Sequence, residues 1–88
     1  MFFGKINMDK IPFTLSGLEK IKSELNDLKK SERPKVIQAI AVAREHGDLK
    51  ENAEYHAAKD RQSFIEGRIT ELEYVTSRAE VINLSKLS

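Results

Sequence analysis

The 88-residue chain is 33% charged and 40% hydrophobic, enough for one small domain but too little for a thick core. It has no cysteine, which excludes disulfides, thiolate nucleophiles and Cys-ligated zinc or iron, and makes a reducing cytoplasm the expected compartment. The 15 basic and 14 acidic side chains leave a formal charge of +1, too balanced for strong autonomous binding to duplex DNA, so any nucleic acid contact is expected to be local.

No apolar run approaches the roughly 20 residues needed to span a bilayer, so a soluble chain without a membrane partner is expected. Residues 1–7 carry Phe2 and Phe3 but lack the charged start, sustained apolar stretch and small-residue cleavage site of a secretion signal. They read as an N-terminal extension ahead of Met8, which can itself serve as a start.

The first helix is expected to begin after Thr14, an N-cap candidate following Pro12 and Phe13, with one apolar face at Leu18, Ile21, Leu25 and Leu28. The same spacing would next select Glu32 and Lys35. The apolar residues come instead at Val36, Ile40 and Ala43, with Ile37 beside them, so the stripe slips by one residue. Pro34 lies inside the slip, where its ring and missing N–H predict a kink in preference to a division into two collinear parts. Ser31-Glu32-Arg33 is too short and too charged for an interdomain linker.

Between the stripes, residues 44–52 read as a stop followed by a start. Gly47 suits the left-handed position that ends a helix, and Asp48 and Asn52 are both able to cap the next one. The second helix carries a heptad seam at Ala58, Gln62, Ile65, Ile69, Leu72, Thr76 and Ala79. Gly67 costs it about 1 kcal/mol relative to alanine, so pattern rather than propensity supports it. Phe64 is assigned to the core with the apolar stripe.

A connection this short makes the helices antiparallel neighbours. The expected fold is therefore all-α, a long two-helix coiled-coil hairpin over residues 8–79. At 1.5 Å per residue each arm of about 30 residues reaches roughly 45 Å, against about 30 Å across a compact globule of this size. Residues 79–84 are β-branched and apolar and read as a strand, which cannot be stable alone. Residues 80–88 are accordingly taken as a linker or the opening strand of a further domain.

A two-helix rod has little room for an enclosed pocket, so its chemistry must lie on its surface or in a partner. Asp48 and Glu51, at the tip, admit two readings. Asp-x-x-Glu is close to a capping box, and negative charge there complements the helix dipole. Alternatively, two carboxylates one turn apart jointly hold a hard cation, since magnesium takes only one or two protein carboxylates and completes its shell with water and phosphate oxygens. His46 and His56 lack the third ligand that a closed zinc site needs, and His46 better complements the C-terminus of the first helix.

The run Ala41-Val42-Ala43-Arg44-Glu45-His46-Gly47-Asp48-Leu49-Lys50-Glu51-Asn52-Ala53-Glu54-Tyr55-His56-Ala57-Ala58-Lys59 closely resembles the coiled-coil tip of bacterial Gre-type transcript cleavage factors, particularly the A type. The resemblance extends to Thr14-Leu15-Ser16-Gly17, Arg33-Pro34, Phe64-Ile65-Glu66-Gly67-Arg68-Ile69 and Ala79-Glu80-Val81-Ile82, and covers the chain from Met8 onward. It implies a transcription elongation factor whose coiled coil enters the secondary channel of a backtracked RNA polymerase and stimulates cleavage of the displaced RNA 3′ end. The polymerase would be the enzyme and this chain its activator.

On that resemblance Asp48 and Glu51 are the tip acids. They help hold a magnesium shared with the polymerase, with no cofactor tightly bound by the chain alone, and they orient a water for in-line attack. Arg44, Lys50 and Lys59 match basic tip positions that meet RNA phosphates or the channel wall, or else form a solvated charged face. Tyr55 either stacks on a base or packs against the turn. Family members also carry a globular domain resembling FK506-binding proteins; its absence from this sequence predicts weak polymerase binding. The hairpin is expected to act as a monomer. A secondary-channel inhibitor without cleavage stimulation and a generic helical-hairpin adaptor remain as alternatives.

Overall fold

The computed structural model describes residues 10–82. The N-terminal extension and the end of the strand-like tail fall outside them. In chain order the elements are β1 (Ile11–Phe13), α1 (Leu15–Asp27), a π-helical turn (Leu28–Glu32), α2 (Arg33–Arg44), α3 (Ala53–Ser77) and β2 (Ala79–Val81). The principal extents are 61 × 30 × 14 Å and the radius of gyration is 18.9 Å, against about 12 Å for a compact chain of this length. The hairpin is therefore a rod, as its helix lengths require.

Thr14 caps the first arm as its sequence position predicts. Its Oγ1 accepts from the Gly17 N–H at 3.1 Å, one of the orphan donors of the opening turn. Gly17 leaves room for this bond, since a Cβ there would lie 3.1 Å from the same Oγ1.

The one-residue slip in the apolar stripe is taken up by the π turn at Leu28–Glu32, just ahead of Pro34. Backbone angles stay helical on both sides of the π turn, φ −65° and ψ −42° at Asp27 and φ −60° and ψ −49° at Arg33. The Arg33 N–H reaches back five residues to the Leu28 carbonyl. A π turn inserts one residue into an otherwise continuous helix, so Leu28 and Val36 stay on the same seam although they are eight apart. Pro34 then sits in the first turn of α2, just past the π turn.

The core is a single file between the arms. Leu18, Val36, Ile40 and Ala43 from the first arm and Ala58, Ile65, Ile69 and Leu72 from the second are buried. Val36, Ile65 and Ile69 form its centre, with Leu25 and Leu28 against them. Gln62, Thr76 and Ala79 of the heptad seam are half-buried. Phe64 is not a core residue: it is 71% exposed, because it sits about 100° round the helix from Ile65, which faces the other arm.

Charged side chains bracket this thin core. Glu66 takes a two-pronged contact from Arg33, with Nε to Oε2 and Nη2 to Oε1 both at 2.7 Å. Glu24 takes another from Arg68, with Nε to Oε2 at 2.8 Å and Nη2 to Oε1 at 3.1 Å. Lys29 reaches Glu73 at 2.9 Å and Arg61 lies 3.6 Å from Glu32. Such paired contacts fix geometry as well as attracting, so they set the register of one arm against the other.

The strand expected after the second helix forms, and its partner is β1. The two pair in parallel with Ile11 opposite Ala79 and Phe13 opposite Val81. The Ile11 N–H donates to the Arg78 carbonyl at 2.8 Å, and the Ile82 N–H to the Phe13 carbonyl at 2.7 Å. Ile11 and Phe13 thus face the partner strand, and Pro12 falls at a position that needs no donor. Parallel strands need a long crossover; here the whole hairpin serves as one, and its two ends are tied together at the base.

Candidate functional site

At the opposite end from the strands, the chain reverses between Arg44 and Ala53. The first arm unwinds through hydrogen bonds from Glu45 N to Val42 O, His46 N to Ala43 O and Gly47 N to Arg44 O, at 3.1, 3.1 and 3.3 Å. Gly47 then adopts φ +109°, a conformation open to glycine and strained for any residue bearing a Cβ. The chain turns there and presents Asp48, Leu49, Lys50 and Glu51 at its extremity, all exposed.

Helix capping does not account for the two acids. The N-cap of α3 is Asn52, whose Oδ1 accepts from the Tyr55 N–H at 3.0 Å. Asp48 lies four residues ahead of it. Its Oδ1 instead accepts from the Lys50 N–H at 3.0 Å, closing a local Asx turn. Neither Asp48 nor Glu51 takes part in an ion pair among the described residues.

Three further contacts shape the turn. Asn52 Nδ2 donates to the Ala43 carbonyl of the other arm at 2.6 Å. His56 Nε2 lies 3.0 Å from the Lys50 carbonyl, which only accepts, so in this contact the ring nitrogen is the donor. His46 Nδ1 approaches Glu54 Oε1 at 3.8 Å. Both histidines are thus engaged with the turn and its flanks.

The remaining residues singled out in the sequence divide into two positions. Arg44 and Lys59, one from each arm, both line a groove of about 250 Å³ together with Ile37, Ile40, Ala41 and Gln62. Lys59 Nζ also donates to Gln62 Oε1 at 3.3 Å. Lys50 belongs to the turn itself. Tyr55 is half-buried and packs edge-on against His56, with ring centroids 5.6 Å apart at 67°.

Two exposed carboxylates suit magnesium, which takes hard oxygen donors and only one or two from protein. Among the described residues no three His, Cys, Asp or Glu side chains gather closely enough to hold a metal ion. The contact that sequence reasoning missed is the Asn52 bond to Ala43. The residue was legible as a cap, but nothing in the spacing shows that its amide nitrogen reaches the other arm.

Fold and site together define a reaching element, a helical rod that carries exposed acids on a turn at its free end. Residues 11–81 match the GreA and GreB family model described as "Transcription elongation factor, N-terminal", and the chain belongs to that family. It is 68% identical over 81 residues to the transcription elongation factor GreA of Rhodospirillum rubrum, covering 92% of this chain and 52% of that protein. Against the GreA of Paracoccus denitrificans it is 59% identical over the same shares. Against that of Halorhodospira halophila it is 64% identical over 76 residues, 86% of this chain and 48% of the relative. The chain spans about half the length of the curated relatives it matches.

Proposed function

We propose that this chain is an activator of RNA cleavage, entering the secondary channel of a backtracked bacterial RNA polymerase in the cytoplasm and bringing Asp48 and Glu51 to the displaced RNA 3′ end. The observation that carries the reading is the state of those acids. They stand exposed at the end of a 61 Å rod, and the helix behind them is capped by another residue. Exposed carboxylates that neither cap the following helix nor join an ion pair among the described residues are suited to ligands outside the chain.

In this reading Asp48 and Glu51 hold a magnesium ion jointly with polymerase ligands and orient the attacking water. When bound, the ion supplies positive charge to the oxygens of an in-line phosphodiester displacement. Arg44 and Lys59, which line the same groove, and Lys50 meet RNA phosphates or the channel wall. Tyr55 packs against the turn through His56 and keeps its outer edge for a base or for polymerase. The bond-breaking machinery belongs to the polymerase, because one pair of carboxylates is an incomplete metal site.

The test is a stalled-complex cleavage assay with Asp48→Asn and Glu51→Gln introduced together. The double variant is expected to bind polymerase and to lose stimulation. Cleavage at the parent rate would overturn the role given to the tip, and loss of binding with the acids gone would make them docking residues instead. The parent chain incubated with RNA alone is expected to leave it intact.

A further inference from the structure

The acidic turn is connected to the rod through one side chain that bonds in two directions. Asn52 Oδ1 accepts from the Tyr55 N–H of its own helix at 3.0 Å, and its Nδ2 donates to the Ala43 carbonyl of the other arm at 2.6 Å. The partners fix the amide's orientation, since an N–H needs the oxygen and a carbonyl needs the nitrogen. Ala43 is 3% exposed, so the anchor lies in the last buried layer of the core, and Asn52 itself is half-buried.

Capping alone does not call for asparagine. Aspartate and serine cap about as well, and aspartate adds a favourable charge at the helix N-terminus. What asparagine adds is a donor on the same short side chain. That donor closes the loop at its neck, nine residues apart in sequence, and directly follows Glu51 in the chain. The Asx turn at Asp48 and the His56 contact to Lys50 then shape a loop whose two ends are already held.

We propose that Asn52 is the positioning residue of the tip: its bond across the hairpin neck holds Asp48 and Glu51 in the orientation that serves cleavage. The inference rests on the function proposed above. Asn52 does not touch the reacting atoms. It acts through the backbone it pins.

Two variants separate clip from cap. Asn52→Asp is nearly isosteric and keeps the capping acceptor but has no donor for the Ala43 carbonyl. Asn52→Ser keeps a capping oxygen without adding charge and is too short to span the neck. Both are expected to retain the parent's helix content and half-saturating concentration for polymerase, with a melting temperature lowered only slightly by the loss of one hydrogen bond. At saturation both are expected to cleave about tenfold or more slowly, since misplacing a reacting group by an ångström costs up to about a hundredfold. Amide hydrogen exchange at Lys50 should quicken in both.

Parent-like cleavage by Asn52→Ser, with slow Lys50 exchange, would overturn the proposal and leave Asn52 a cap; a deficit confined to Asn52→Asp would do the same and assign the loss to charge. The double variant at Asp48 and Glu51, run alongside, keeps the two readings apart. If it cleaves like the parent, the proposed function fails, and the Lys50 exchange rate still decides whether Asn52 holds the turn.

Discussion

The shaft and the tip of this hairpin are built on different principles. The shaft holds its shape by repetition: a file of buried aliphatic residues, bracketed by ion pairs from Glu24–Arg68 to Arg33–Glu66. The tip has almost no buried apolar surface and holds its shape through single contacts, among them one glycine at φ +109°, one Asx turn, one histidine–carbonyl bond and one cross-arm amide bond. Stability is therefore concentrated in the shaft and side-chain chemistry in the tip. The rod keeps them apart in space, so substitutions should separate them as well.

The largest effect expected is in the shaft. Ile69 is 2% exposed at the centre of the core, and truncating such a residue to alanine costs about 2–5 kcal/mol. The whole domain has a stability of only about 5–10 kcal/mol at this length. Ile69→Ala is expected to lower the denaturant midpoint sharply and to remove helix content from both arms in a single transition. A transition confined to one arm would show that the two do not fold as one unit.

Next comes the turn. Gly47→Ala places a Cβ at a strained φ but meets no atom within 4 Å, so the cost is conformational, about 1–2 kcal/mol. The shaft should keep its helix signal while amide exchange quickens from Gly47 to Glu51. Equal loss of protection along Ile65–Leu72 would break the distinction between the regions.

What was legible in the sequence follows the same division. The shaft is repetitive, and its 3–4 spacing disclosed both helices, the Thr14 cap and most of the core. The slip at Leu28 was visible too, but its form was not. A proline and a π turn both satisfy a one-residue offset, and only backbone hydrogen bonding distinguishes them. Phe64 was misassigned because an aromatic beside a seam residue looks apolar whichever way it points. The strand β1 was missed because three residues containing Pro12 carry little signal, and its partner lies 68 positions along the chain. At the tip the residue types showed a turn with acids. Two good caps, Asp48 and Asn52, stood in competition there, and the choice was made by a contact between arms that no local pattern encodes.

The smallest effect expected concerns the ion pairs that set the shaft's register. The Arg68 guanidinium, bonding to Glu24, holds that carboxyl below its ordinary value of 4.5, and Arg33 does the same for Glu66, with desolvation opposing in both cases. A carboxylate whose folded pKa is depressed contributes stability that is complete above its unfolded pKa and is lost as pH falls through the folded one. The contribution of these pairs should therefore be flat from neutral pH down to about 5 and be lost progressively below 4.5, as pH falls through the lowered folded values. It should be modest, because all four side chains are about a third or more exposed and solvent screens such pairs. Replacing Glu24 and Glu66 together by glutamine is expected to lower the melting temperature slightly at pH 7 and to flatten its decline in acid. An acid limb as steep as the parent's would move the titrating groups elsewhere, and the register of the arms would then rest on the aliphatic seam alone.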